Sequence, residues 1–140
     1  MKYKVYLSGG IFQLHPDEYK TWRDEATWVL GNMGLETLDP LRRDFAQRGE
    51  LTSADVLELV NGDKEDIDLA DIVLVNAVRP SWGTAMEIFY AATHYTGVFK
   101  PEIVAFNVTV PMSPWLLHHT DVRCATLEEA LEYIGENYNG

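Results

Sequence analysis

A single cysteine, Cys124, in 140 residues excludes any disulfide within the chain. Cysteine this scarce favours a reducing, intracellular setting. Long hydrophobic runs are missing too, since no stretch nears the ~20 apolar residues of a membrane span. The opening, Met1-Lys2-Tyr3-Lys4-Val5, has no apolar signal-peptide core, so a soluble, cytoplasmic protein is expected. Positive charge is sparse: 11 Lys and Arg stand against 22 Asp and Glu, a net charge of −11 at pH 7. That field repels phosphate backbones and makes a nucleic acid polymer a poor partner, without barring a small neutral ligand. No Gly-x-Gly-x-x-Gly follows the first strand and there is no P-loop lysine; Gly9-Gly10 only allows close backbone approach. No metal site is expected. His118 and His119 are adjacent and diverge by ~100° on a helix, while His15 and His94 have no partner at ligand spacing.

What is present is an ordinary globular balance, 46% hydrophobic and 24% charged, in a length that suits one domain over residues 1–140. Val5 to Ser8 reads as a buried strand ended by Gly9-Gly10. A helix is expected from Asp17 to Met33, with Tyr19, Trp22, Ala26, Val29, Leu30 and Met33 on its core stripe and Gly34 as its C-cap. Leu35 to Leu38 is a second strand, stopped at Asp39-Pro40. Leu41 to Leu51 has no period, carries Arg42, Arg43 and Arg48, and reads as a mobile loop. Ser53 to Val60 is helical, Asn61-Gly62 interrupts it, and Asp63 caps a further short helix to Leu69.

Ile72 to Val75 is apolar throughout, as a central parallel strand should be. Gly83 to Tyr95 is helical, Ile103 to Phe106 a fourth strand, and Ser113-Pro114 the start of a helical turn. Val122 to Ala125 is a fifth strand. Thr126 and Glu129 form a capping box for a last helix that buries Leu127, Ala130, Leu131 and Ile134. Only the end, Asn137 to Gly140, is expected to be disordered. The alternation predicts an α/β, flavodoxin-like (Rossmann-like) three-layer sandwich with a five-stranded parallel sheet.

In such sheets ligands bind beyond the carboxyl ends of the strands. Three segments should meet there: 8–12, 76–87 and 107–115. They supply Gly9, Gly10 and Phe12, then Ser81, Trp82 and Gly83, then Met112 and Trp115 as candidate substrate-binding residues. A helical wheel puts Ala85, Ile88, Phe89 and Ala92 on the core side, with Glu87 nearly opposite beside Gly83, Thr84 and Ala91. Glu87 then reads either as a first-turn acid steadied by the helix dipole or as a carboxylate delivered to the rim. Tyr6 reads either as a core aromatic or as a hydroxyl that orients that carboxylate. Asp63 reads either as an N-cap or as a base-binding acid that passes a proton.

Taken together, Tyr6-Leu7-Ser8-Gly9-Gly10-Ile11-Phe12, the run from Asp63 through Ala70-Asp71-Ile72-Val73-Leu74, and Gly83-Thr84-Ala85-Met86-Glu87 resemble the nucleoside 2-deoxyribosyltransferase family. Ser113-Pro114-Trp115 and Thr126 to Leu131 extend the likeness over nearly the whole chain. The resemblance implies a double displacement in which Glu87 attacks the anomeric carbon, Tyr6 positions it and Asp63 handles the base. Its implied partners are a deoxynucleoside and a free nucleobase, with no cofactor and no metal, and the site is built in a homo-oligomer.

One position departs from the pattern. Many of the transferases carry an aspartate six residues before the nucleophile, where this chain has Ser81. Pro80-Ser81-Trp82-Gly83 is instead similar to a related branch, the 2′-deoxynucleoside 5′-phosphate N-hydrolases. Gly10 and Phe12 stand where that branch has a serine and an arginine, which favours a nucleoside over a nucleotide. A non-catalytic nucleotide-binding or signalling domain on the same frame is the third reading.

Overall fold

The computed structural model describes residues 2–12, 14–95, 99–109 and 111–138. Five strands, β1 (Lys4–Ser8), β2 (Glu36–Leu38), β3 (Ile72–Asn76), β4 (Glu102–Phe106) and β5 (Val122–Arg123), form one all-parallel sheet. Their spatial order, β2-β1-β3-β4-β5, is the flavodoxin-like order expected, with the switch point between β1 and β3. Period-2 alternation divides the sheet between two cores. Val5, Leu7, Ile72, Leu74, Val104 and Phe106 pack on helices α2 (Thr21–Asn32) and α6 (Leu127–Asn137). Tyr6, Val73, Val75, Ile103 and Ala105 pack on α3 (Ser53–Leu69) and α4 (Trp82–Thr93). Among the described residues no helix is long and apolar enough to cross a membrane.

Local chemistry explains most boundaries. Gly34 takes φ 86°, the left-handed conformation a helix stop needs. Ser113 accepts the Trp115 N–H and Pro114 occupies the first turn of α5 (Pro114–His119). Thr126 accepts the Glu129 N–H, but the Glu129 carboxylate takes the Ala125 N–H, so the expected box is half closed.

Several expectations are corrected. The first helix is two, α1 (Pro16–Tyr19) and α2, and the fifth strand ends at Arg123. Asn61-Gly62 does not break α3, which runs unbroken for 17 residues from a reciprocal Thr52–Asp55 capping box. Asp63 is thus a mid-helix residue and not a cap. The segment read as a mobile loop contains two 3₁₀ turns, Pro40–Arg43 and Phe45–Gln47. Phe45 is buried, and Arg42 and Arg43 are paired to acids of α3. At the chain end, α6 runs through Asn137, and Tyr138 packs on Tyr3 and donates to Glu102. Residues 139–140 lie outside the described residues.

Candidate active site

The face of α4 turned to the sheet carries Thr84, Ile88 and Ala91, all buried, and Glu87 shares that three-four spacing. The expected wheel was therefore rotated. Met86 and Phe89 are exposed, with Phe89 half out in solvent, because α4 carries apolar residues on its outer face as well. Glu87 points inward over the carboxyl end of β1.

Tyr6 and Ser8, two residues apart on β1, point to the same face and meet it. The Tyr6 hydroxyl donates to one Glu87 oxygen, and Ser8 Oγ donates to the other at 2.7 Å. Tyr6 and Ser8 are both fully buried. Glu87 as a residue is half-buried, but its carboxyl end is the enclosed part. Burial, then the Asp63 charge, pushes the Glu87 carboxyl up to about 7, against the Tyr6 and Ser8 hydrogen bonds and the Arg23 charge. Asp63 is raised by burial as well, opposed by Arg43 and by a hydrogen bond from Glu87. The Tyr6 hydroxyl is held well above its ordinary value by burial and then by the charges of Glu87 and Asp63, so it stays a donor. Two neighbouring carboxyl groups whose protonation is displaced and linked are the usual raw material of acid–base and nucleophilic chemistry.

Three residues missed by sequence reasoning support this centre. Ser8 had a readable signal, its period-2 relation to Tyr6. Arg23 is fully buried in α2, donating to Leu7 O at 2.8 Å, Gly9 O at 2.9 Å and Asp39 Oδ1 at 3.1 Å, which ties down the β1 exit. Arg43 reaches Asp63 Oδ1 at 2.9 Å from the 3₁₀ turn. Neither arginine carries a local sequence mark.

The candidate substrate-binding residues fall into two places. Phe12 lines a cleft of about 30 Å³ with Ile11, Leu41, Phe45, Leu59 and Asp63. A Cβ on Gly9 would lie 2.9 Å from the Trp22 ring, so glycine there allows the β1 exit to pass close to α2. A Cβ on Gly10 would lie 3.1 Å from Leu14 and 3.6 Å from Ser81 Cβ, while a Cβ on Gly83 would meet nothing within 4 Å. Ser81, Trp82, Met112 and Trp115 line a second, larger cavity of about 730 Å³. Glu87, Tyr6 and Asp63 do not line it. The larger volume and the paired carboxyl groups therefore lie apart, and the candidate site is placed at the carboxyl pair. Among the described residues no three His, Cys, Asp or Glu side chains come together as a metal site.

The fold and this rim define a class, the α/β proteins of 2-1-3-4-5 parallel order with an acid pair at the switch point. Among solved structures, the chain is similar to the 2-deoxyribosyltransferase of the psychrotolerant bacterium Bacillus psychrosaccharolyticus. The TM-score is 0.73 at 16% identity, over 93% of this chain and 91% of that one. It is also similar to a conserved protein from Enterococcus faecalis, with TM-score 0.63 at 14% identity over 98% and 99% of the two chains. At these identities the likeness is one of fold. No protein-family profile and no curated protein sequence matches the chain.

Proposed function

We propose that the protein cleaves the N-glycosidic bond of a 2′-deoxynucleoside and transfers the deoxyribose to a second nucleobase. The observation that carries this reading is the Glu87 carboxylate held on both oxygens, by Tyr6 and by Ser8, with Asp63 as its electrostatic neighbour. Glu87 passes the proton it shares with Asp63 to that residue, and its freed oxygen attacks C1′. The C1′–N bond breaks with its electron pair going to the base, and Asp63 gives that proton to the departing ring nitrogen. A second base then attacks C1′, the glutamyl ester bond breaks, and the incoming base returns its proton to Asp63. Two inversions retain the configuration. A 2-deoxy sugar suits the route, because the missing 2′-hydroxyl eases an oxocarbenium-like transition state. The route uses no metal and no organic cofactor.

A cleft of about 30 Å³ holds little more than one water, so substrate must displace part of its lining, which includes Phe12, Leu41 and Phe45. Gly9, Gly10, Ser81, Trp82, Gly83, Met112 and Trp115 are proposed as the further substrate contacts. The exposed Trp82, Met86, Phe89 and Trp115 make an apolar surface beside the large cavity, in keeping with a homo-oligomer. The single cysteine is in keeping with the cytoplasm.

The test is base exchange: a deoxynucleoside mixed with a different free base should yield the exchanged nucleoside, and Glu87→Ala should abolish it. Exchange by Glu87→Ala at the parent rate would sink the assignment. Hydrolysis of a deoxynucleoside 5′-monophosphate is the second reading, favoured by the polar Ser81 at the N-terminus of α4. A higher kcat/KM for the 5′-phosphate than for the nucleoside would select it.

A further inference from the structure

Gly62 lies inside α3, where glycine destabilises a helix relative to alanine, and the proposed chemistry gives it no part. The geometry explains it: a Cβ at that position would lie 2.9 Å from both Cζ and Nε of Arg43. Gly62 is the seat of a guanidinium group. From that seat Arg43 donates to Gly62 O at 2.9 Å, to Asp63 Oδ1 at 2.9 Å and to the buried Asp66 carboxylate. Asp66 is also held by Arg42 at 2.7 Å, so one helical turn is read by two adjacent arginines.

The charged and titratable groups facing Asp63 are Arg43 from the 3₁₀ turn, Asp66 from its own helix, Arg23 from α2, Glu87 from α4 and Tyr6 from β1. Among the described residues Arg43 is the one cation in direct contact with it. We infer that Arg43, seated on Gly62, is a positioning residue: it aims the Asp63 carboxyl at Glu87 and at the departing base, and its charge governs the pH at which that carboxyl pair gives up its last proton. The catalytic part of this inference rests on the function proposed above; the electrostatic part stands without it.

Removing a cation beside a carboxyl pair favours the protonated forms. In Arg43→Met the alkaline limb of kcat/KM therefore moves to higher pH. Lysine keeps the charge but not the planar fork that spans three acceptors. Arg43→Lys should thus leave the limb near the parent's while kcat/KM falls through loss of aim. Gly62→Ala drives the guanidinium off its seat and moves the limb the same way as Arg43→Met. The double variant adds little, because both changes break one interaction.

The experiment pairs two readouts: the pH profile of base exchange on a deoxynucleoside, and a carbon-13 NMR titration of the Asp63 side-chain carboxyl. Expected are an Asp63 midpoint at higher pH in Arg43→Met and Gly62→Ala than in the parent, and a midpoint near the parent's in Arg43→Lys. The loss of kcat/KM in Arg43→Met should be about 10- to 100-fold, the range for a misplaced catalytic group. An Asp63 midpoint that stays put in a folded Arg43→Met overturns the inference. Absence of any exchange by the parent would overturn the proposed function instead, and the titration would still decide the role of Arg43.

Discussion

Replacing Glu87 by glutamine should make the protein more stable, by a margin that grows as pH rises from about 4.5 to about 7 and then levels off. In the unfolded chain a glutamate gives up its proton near 4.5, whereas burial and Asp63 hold the folded Glu87 carboxyl at about 7. Between those values the folded chain keeps a proton that the unfolded chain has lost, so stability falls as pH rises through the window. The contribution is fully present below 4.5 and gone above 7. A gap of this size corresponds to about 3 kcal/mol. Glutamine has nearly the same shape, still accepts from Tyr6 through its oxygen, and its amide can donate to Ser8 or Asp63. It carries no charge to desolvate. Glu87→Gln should therefore match the parent near pH 4.5 and exceed it by about 3 kcal/mol at pH 8, or about 10 °C in Tm for a chain of this length. Thermal unfolding of both proteins in buffers from pH 4.5 to 8.5 measures it. The differences due to every other titrating group largely cancel. A Tm difference that is flat with pH, or a parent more stable than Glu87→Gln at pH 8, would refute the claim that this carboxylate is held ionised at a cost.

Two further substitutions probe the supports of the site. Tyr6→Phe removes one charge-assisted donor to Glu87, a bond of about 1.5–3 kcal/mol; kcat/KM should drop about 10- to 100-fold. Because that bond lowers the Glu87 carboxyl, its acid limb should also move to higher pH, and an unmoved limb would count against Tyr6 as the positioning hydroxyl. Arg23→Met strands Leu7 O, Gly9 O and Asp39 without their donor, and should destabilise by about 3–5 kcal/mol in urea unfolding. A loss under about 1 kcal/mol would mean the β1 exit does not depend on it.

The fold was legible because its signals are local. Val5 to Ser8, Ile72 to Val75 and Ile103 to Phe106 are apolar runs of strand length between helices, and that alternation alone implies a parallel sheet. Ser113-Pro114, Thr126 and Gly34 marked helix ends through chemistry within a few residues. The errors came where tertiary contacts override local rules. Asn61-Gly62 looks like a stop, yet α3 continues through it because Arg43 fills the space a side chain would take and bonds the helix backbone there. Leu41 to Leu51 has no period because its order comes from side chains reaching α3, not from a repeating face.

Glu87, Tyr6 and Asp63 could be named from the chain because the segments that carry them resemble a known family, whereas spacing alone left each of them open and misread Asp63 as a cap. By itself the sequence determined the α/β class, the flavodoxin-like frame and the rim on which the candidate site was sought. Only the tertiary structure decided which way Glu87 faces, since α4 is apolar on both sides and periodicity cannot choose between two apolar faces. It alone brought Ser8 to the second oxygen of Glu87, and Arg23 and Arg43 to the backbone and acids around it. These are contacts between residues 14 to 79 positions apart. Their charge and hydrogen bonding are fixed by packing in three dimensions, which no local spacing records.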